Sequence, residues 1–122
     1  MSFAVESARI EPDIMMVRVR GSITVGRESQ NIVVFLKNLL QENEKKLVFD
    51  LAGLEHLDSS GVELIFECFA AAKSAGAQLR LAAANKKVSR LFHITRLDTI
   101  LAFYPTVAEA IDSLGGGLEA SG

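Results

Sequence analysis

Residues 46–81 read KLVFDLAGLEHLDSSGVELIFECFAAAKSAGAQLRL, and the changes of pattern inside that stretch decide the fold. Residues 46–51 are a short apolar run of the kind that forms a buried strand. Residues 53–57 read as a connection. Over residues 61–74 the apolar positions fall at helical spacing. Leu64, Ile65, Cys68, Phe69, Ala71 and Ala72 gather on one side, and Glu63, Phe66, Glu67 and Ala70 on the other. Gly76 stops the helix, because glycine takes the left-handed conformation of a C-terminal cap without strain. Residues 78–83 then alternate as a second strand. A strand, a helix and a strand in that order imply a parallel pair joined by a right-handed crossover.

Working outward, residues 3–10 alternate loosely and residues 15–20 more clearly, with Glu11, Pro12 and Asp13 between them. Two alternating runs around a tight acidic turn predict an antiparallel hairpin whose second strand ends at Gly21. Residues 27–43 change to a helical period, with Ile32, Phe35, Leu36, Leu39 and Leu40 in one stripe. Beyond the central unit, residues 86–95 predict a helix carrying Val88, Leu91, Phe92 and Thr95. Residues 100–103 predict a last strand, and residues 106–114 a last helix capped by Thr106. The expectation is a single α/β domain over residues 1–114. It has a mixed five-stranded sheet, an N-terminal antiparallel hairpin followed by β-α units, and about four helices. Residues 115–122, rich in Gly and Ser, read as a flexible tail.

Composition narrows the function classes. The formal charge is −2 over 122 residues, with both signs interspersed along the chain, so nucleic acid is not an expected partner. The one cysteine, Cys68, lies on the core stripe of its helix and reads as an inert buried thiol. His56 and His93 are far apart and no Cys/His/Asp cluster has metal spacing, so neither a metal nor another cofactor is expected. His56 stands three residues before Ser59, yet the G-x-S-x-G elbow and an orienting third group are missing, so no enzyme activity is expected. The N-terminus has no basic stretch followed by an apolar one, and no apolar run approaches the ~20 residues that span a bilayer. A cytoplasmic protein without direct membrane insertion is expected, with its oligomeric state left open.

The most informative four residues are Asp58, Ser59, Ser60 and Gly61, where the connection meets the helix. Ser60 and Glu63 spell a capping box, in which the Ser60 hydroxyl accepts from the amide of Glu63 and the Glu63 carboxylate reaches back to that of Ser60. That assignment leaves Ser59 one residue outside the helix with its hydroxyl facing solvent. A phosphate there would meet the positive end of the helix dipole. Phe66, an aromatic residue on the polar side of the same helix, is a candidate anchor for a partner.

The stretch 46–81, followed by VSRLFHITRLDTILAFYPTVAEAI at residues 88–111, resembles the STAS domain family and, within it, the bacterial anti-sigma-factor antagonists. The resemblance rests on an apolar strand ending in Asp, the D-S-S-G run, a Lys-x-x-Gly helix end and an R-L-F-x-I-T-x-L segment, and it covers residues 17–114. It implies a switch. Unphosphorylated members bind an anti-sigma factor that is also a serine kinase. Phosphorylation of the first serine after the Asp, here Ser59, releases it, and a PP2C-type phosphatase resets the protein. The surface so implied comprises Asp58, Ser59, Ser60, Gly61, Glu63 and Phe66, with Ser22 and Thr24 at the corner after the second strand. Two positions depart from the family pattern. Many antagonists have G-E-[IL]-D where this chain has Gly21, Ser22, Ile23 and Thr24, and G-L-G where it has Gly61, Val62 and Glu63. The other role the family offers is a scaffold or accessory subunit of a stress-sensing complex or lipid transporter, not switched by phosphate.

Overall fold

Strands β1 (Phe3–Ile10) and β2 (Ile14–Ile23) form the antiparallel hairpin, with Ile10 opposite Ile14 across the acidic turn. The computed structural model describes residues 3–23 and 31–115. Beyond the hairpin come helix α1 (Asn31–Gln41), strand β3 (Lys46–Leu57), helix α2 (Ser59–Ser74), strand β4 (Gln78–Ala82) and helix α3 (Lys86–Ile94). A 3₁₀ turn (Leu97–Thr99), strand β5 (Ala102–Tyr104) and helix α4 (Val107–Ser113) complete the order. Strands β2 to β5 are mutually parallel, and the sheet order β1-β2-β3-β4-β5 is the order of the chain. The architecture is the mixed five-stranded sheet with four helices that the sequence predicts.

Two apolar layers hold it. On one face Val17, Val19, Phe49 and Leu81 pack against Ile32 and Leu36 of α1, Ile65 and Cys68 of α2, and Phe92 of α3. On the other, Ile14, Val48 and Ala82 form a smaller cluster with Ala110 and Leu114 at α4, with Ile10, Tyr104, Val107 and Ile111 packed at its edge. A helix of seven residues covers about 10 Å and cannot roof five strands. The part of that face toward β1 and β2 accordingly carries paired charge. Arg18 Nε donates to Asp50 Oδ2 at 3.3 Å, and Arg20 donates to Glu6 at 3.3 Å. Arg9 of β1 also makes two hydrogen bonds to the nearly buried carboxylate of Glu44, one of them 2.8 Å long.

Three boundaries differ from expectation. β2 does not stop at Gly21. That glycine has φ +92°, a conformation open to it without a Cβ, and the strand resumes after a register shift with Ser22 opposite His56 and Ile23 opposite Leu57. Because β2 continues, β3 has a partner as far as Leu57, and residues 53–57 are strand rather than connection; Leu54 and Leu57 point into the core. The last strand begins at Ala102, because Ile100 and Leu101, expected in the strand, instead donate their amides to the Leu97 carbonyl and close the 3₁₀ turn that follows Arg96 (φ +66°). Residues 27–30, expected to open α1, and residues 116–122 of the expected tail lie outside the described residues.

Candidate functional site at the start of the second helix

Strand β3 outruns its neighbour β4, which pairs with it only as far as Asp50. Its extra residues, paired to β2 alone, carry the chain to Asp58, from which α2 departs at once. Asp58 is extended (φ −105°, ψ −175°) and is the N-cap: its Oδ1 accepts from the Gly61 amide at 3.0 Å, and its carbonyl from Val62 at 3.0 Å. Its own amide donates to the Ile23 carbonyl at 3.3 Å, tying the helix start to the end of β2.

The cap expected at Ser60 is therefore wrong by two residues, and the Ser60–Glu63 capping box does not form. The reason is steric as well as chemical. A Cβ on Gly61 would stand 2.5 Å from Leu57 Cδ1 and 2.6 Å from the Ile23 carbonyl oxygen. The chain must pass this point as bare backbone, already inside the first helical turn. Asp58, three residues earlier, is then the residue placed to reach the Gly61 amide.

Ser59 and Ser60 become the first two residues of α2 rather than its flank. Ser59 is exposed and Ser60 half-buried. Their amides point out of the helix start, since no carbonyl lies one turn earlier inside the helix to receive them. Glu63 is exposed one turn on, and Phe66 shows 37% of its surface, its ring 6.1 Å from that of the half-buried Phe69. Ser22, half-buried, faces His56 in the β2–β3 register and so borders the same corner. Thr24 lies outside the described residues. Asp58, Ser59, Ser60, Gly61, Glu63 and Ser22 are brought together, and Phe66 follows along the helix.

The remaining chemistry-bearing residues stand apart. Burial pushes the Cys68 thiol up to about 12, with Glu67 adding to the effect, so it stays protonated at neutral pH. An open cleft of about 620 Å³ lies between α1 and α2 beside Lys37, Leu40, Glu67 and Ala71, toward the far end of α2 from Ser59. Among the described residues no group of three or more His, Cys, Asp or Glu could hold a metal ion, and no helix they form is long and apolar enough to cross a membrane. One structural partner went unread in the sequence. Asn85 caps α3 through the Val88 amide at 2.8 Å while its Nδ2 donates to the Leu54 carbonyl at 3.1 Å. An Asn before a basic first turn was the available signal.

Against known proteins, the sequence model of the STAS domain matches residues 7–110. A Thermotoga neapolitana protein provisionally named an anti-sigma factor antagonist is 30% identical over 77 residues, which are 63% of this chain and 68% of that protein. The solved structure of an anti-sigma factor antagonist from Mycobacterium paratuberculosis aligns with a TM-score of 0.81 at 20% identity, covering 92% of this chain and 93% of that one. SpoIIAA, solved unphosphorylated and, from Bacillus, phosphorylated, gives a TM-score of 0.68 in both forms at 16% and 17% identity. Those alignments cover 93% and 91% of this chain and 99% of each SpoIIAA chain. At such identities the structures share the fold.

Proposed function

The chain belongs to the STAS domain family, and from that premise we propose that it is an anti-sigma factor antagonist whose exposed α2 start docks an anti-sigma factor. In this reading the partner is also the serine kinase that modifies Ser59, the phosphoprotein lets go, and a PP2C-type phosphatase restores binding in the cytoplasm. The names of the relatives support the partner class. The observation that carries the switch is the division of labour at the helix start. Asp58 does the capping, so the exposed Ser59 hydroxyl can be modified without undoing the fold.

A phosphate on Ser59 adds about −1.5 to −2 of charge at neutral pH. The outward amides and the helix dipole tolerate it within the chain. A partner closing over the same turn has to strip its water and meet Asp58 and Glu63 as well, so the penalty falls on the complex. Phe66 is the apolar anchor of the surface, and Ser22 its border.

The test is titration of the captured anti-sigma factor against purified variants by calorimetry, with circular dichroism to confirm folding. Ser59→Asp and Phe66→Asp each weaken binding, the second by about 2 kcal/mol or roughly thirtyfold if Phe66 is a true anchor. Peptide mass spectrometry after kinase treatment places the phosphate on Ser59. Wild-type affinity in Ser59→Asp sinks the switch. The second reading, an unswitched scaffold subunit, draws on Glu63, whose carboxylate one turn away is a like charge that disfavours phosphate. An intact mass that never shows a phosphatase-sensitive addition in cells would favour it.

A further inference from the structure

The interspersion of charges along the chain does not survive folding at α3. Residues 84–100 hold four of the thirteen Lys and Arg (Lys86, Lys87, Arg90, Arg96) and one of the fifteen Asp and Glu, Asp98. The segment therefore carries +3, against −5 for the rest of a chain whose total is −2. At 100° per residue, Lys86, Arg90 and Ile94 stand one above the other on successive turns, with Lys87 beside them. Val88 and Phe92, on the opposite side, are buried in the core. This outward face ends in Ile94, at 66% the most exposed large apolar side chain among the described residues, and Ile100 at 51% follows just past the 3₁₀ turn.

Among the described residues the arginines of β1 and β2 pair with Glu44, Glu6 and Asp50, and Lys46 with Asp13, but no ion pair reaches Lys86, Lys87, Arg90 or Arg96. The one local carboxylate, Asp98, is 2.9 Å from His93 Nδ1. Lys86 and Lys87 open α3 on the same side of the sheet as Ser59, but the apolar tip of the face lies at the other end. Ser59 follows the C-terminal end of β3, whereas Ile94 and Ile100 lead into the N-terminal end of the parallel strand β5. A partner seated on Ser59 would leave that tip open.

We propose that the outward face of α3 and the turn after it form a peripheral docking surface for an anionic lipid bilayer. Charge complementarity selects the anionic surface, with the cations at headgroup level. The arrangement of the apolar residues selects lipid over an acidic protein. Protein interfaces centre on buried aromatic and Arg anchors inside a polar rim. Here the exposed side chain that ends the basic stripe, Ile94, and the exposed Ile100 past the 3₁₀ turn are aliphatic, suited to dipping below the headgroups.

The probe is vesicle co-sedimentation of the full chain on phosphatidylcholine and on mixtures in which about a third of the lipid is phosphatidylglycerol. Binding is expected to the anionic vesicles alone, falling as salt shortens the screening length. Each cation removed lowers it about fivefold, the equivalent of about 1 kcal/mol, so Lys86→Glu with Arg90→Glu loses at least ~25-fold. Ile94→Ser weakens binding at fixed charge. Circular dichroism checks the fold of each. No binding to anionic vesicles, equal binding to neutral ones, or indifference to the charge reversals overturns the proposal. If the charge reversals instead weaken only the capture of a carboxylate-rich protein, the face belongs to that partner and the lipid assignment is wrong.

Discussion

The starts of α2 and α3 solve the same problem with different materials. Each helix leaves the C-terminal side of a parallel strand, and each is capped by an Asx side chain on the third helical amide, Asp58 on Gly61 and Asn85 on Val88. At α3 the cap is a neutral amide with both ends engaged, since Nδ2 also holds the Leu54 carbonyl, and the third residue is a buried valine. At α2 the cap is a carboxylate bonded through one oxygen, and the third residue is a glycine pressed between Leu57 and Ile23. Rigidity at α3 comes from side-chain hydrogen bonding and burial. At α2 it comes from the Asp58 cap and the close approach of the Gly61 backbone to Leu57 and Ile23, and neither contact uses the hydroxyls of Ser59 and Ser60.

If that contrast is right, the largest effect belongs to the glycine. Gly61→Val puts a branched side chain where a backbone carbonyl already stands, and chemical denaturation should register a loss of about 3 kcal/mol. A loss no greater than helix propensity dictates would mean the first turn of α2 has room to shift. The two caps come next, and they should not be equal. Asn85→Ala removes the cap and strands the Leu54 carbonyl, for about 2 kcal/mol. Asp58→Ala forfeits a cap alone, for about 1 kcal/mol, most of which Asp58→Asn retains. Equal penalties at the two sites would erase the distinction drawn here. Smallest are the serines: Ser59→Ala and Ser60→Ala should each stay within about 0.5 kcal/mol of the parent in the same melts. A cost near 1 kcal/mol at Ser60 alone would revive it as the cap.

That last pair marks what the sequence could and could not disclose. The sheet, its hairpin and its helices were legible because period and turn residues agree over long windows, as in the Ile32–Leu36–Leu39 stripe and the run from Leu47 to Leu51. The identity of the cap was not, because Asp58, Ser59 and Ser60 are all good caps and local chemistry does not choose among them. The choice is made by Ile23, thirty-eight residues before Gly61 in the chain, whose carbonyl excludes a side chain there. The same distant strand end lengthened β3 through residues 53–57, which alone look like a loop. Phe66 was legible as exposed because helical spacing predicts which side of α2 faces out, whereas Ser59 is exposed as the first residue of the helix and not, as its expected cap implied, as the residue before it. The cation stripe on α3 escaped notice because charges counted along a chain say little about which of them find partners across a sheet.

The strand order has a consequence for how the chain comes to be folded. Since β1 to β5 lie side by side in the order of synthesis, each strand meets a neighbour that has already been made, and none must thread between two earlier ones. Pairing of neighbours in sequence keeps the loops to be closed short, which favours rapid, vectorial assembly as the polypeptide emerges. The hydrophobic layer under α4 is the exception. Ile14 and Val48 are laid down early, but the residues that cover them, Ala110 and Leu114, come last. Until α4 docks, the nascent protein has one covered side and one on which Ile14, Val48 and Ala82 stay open to other chains.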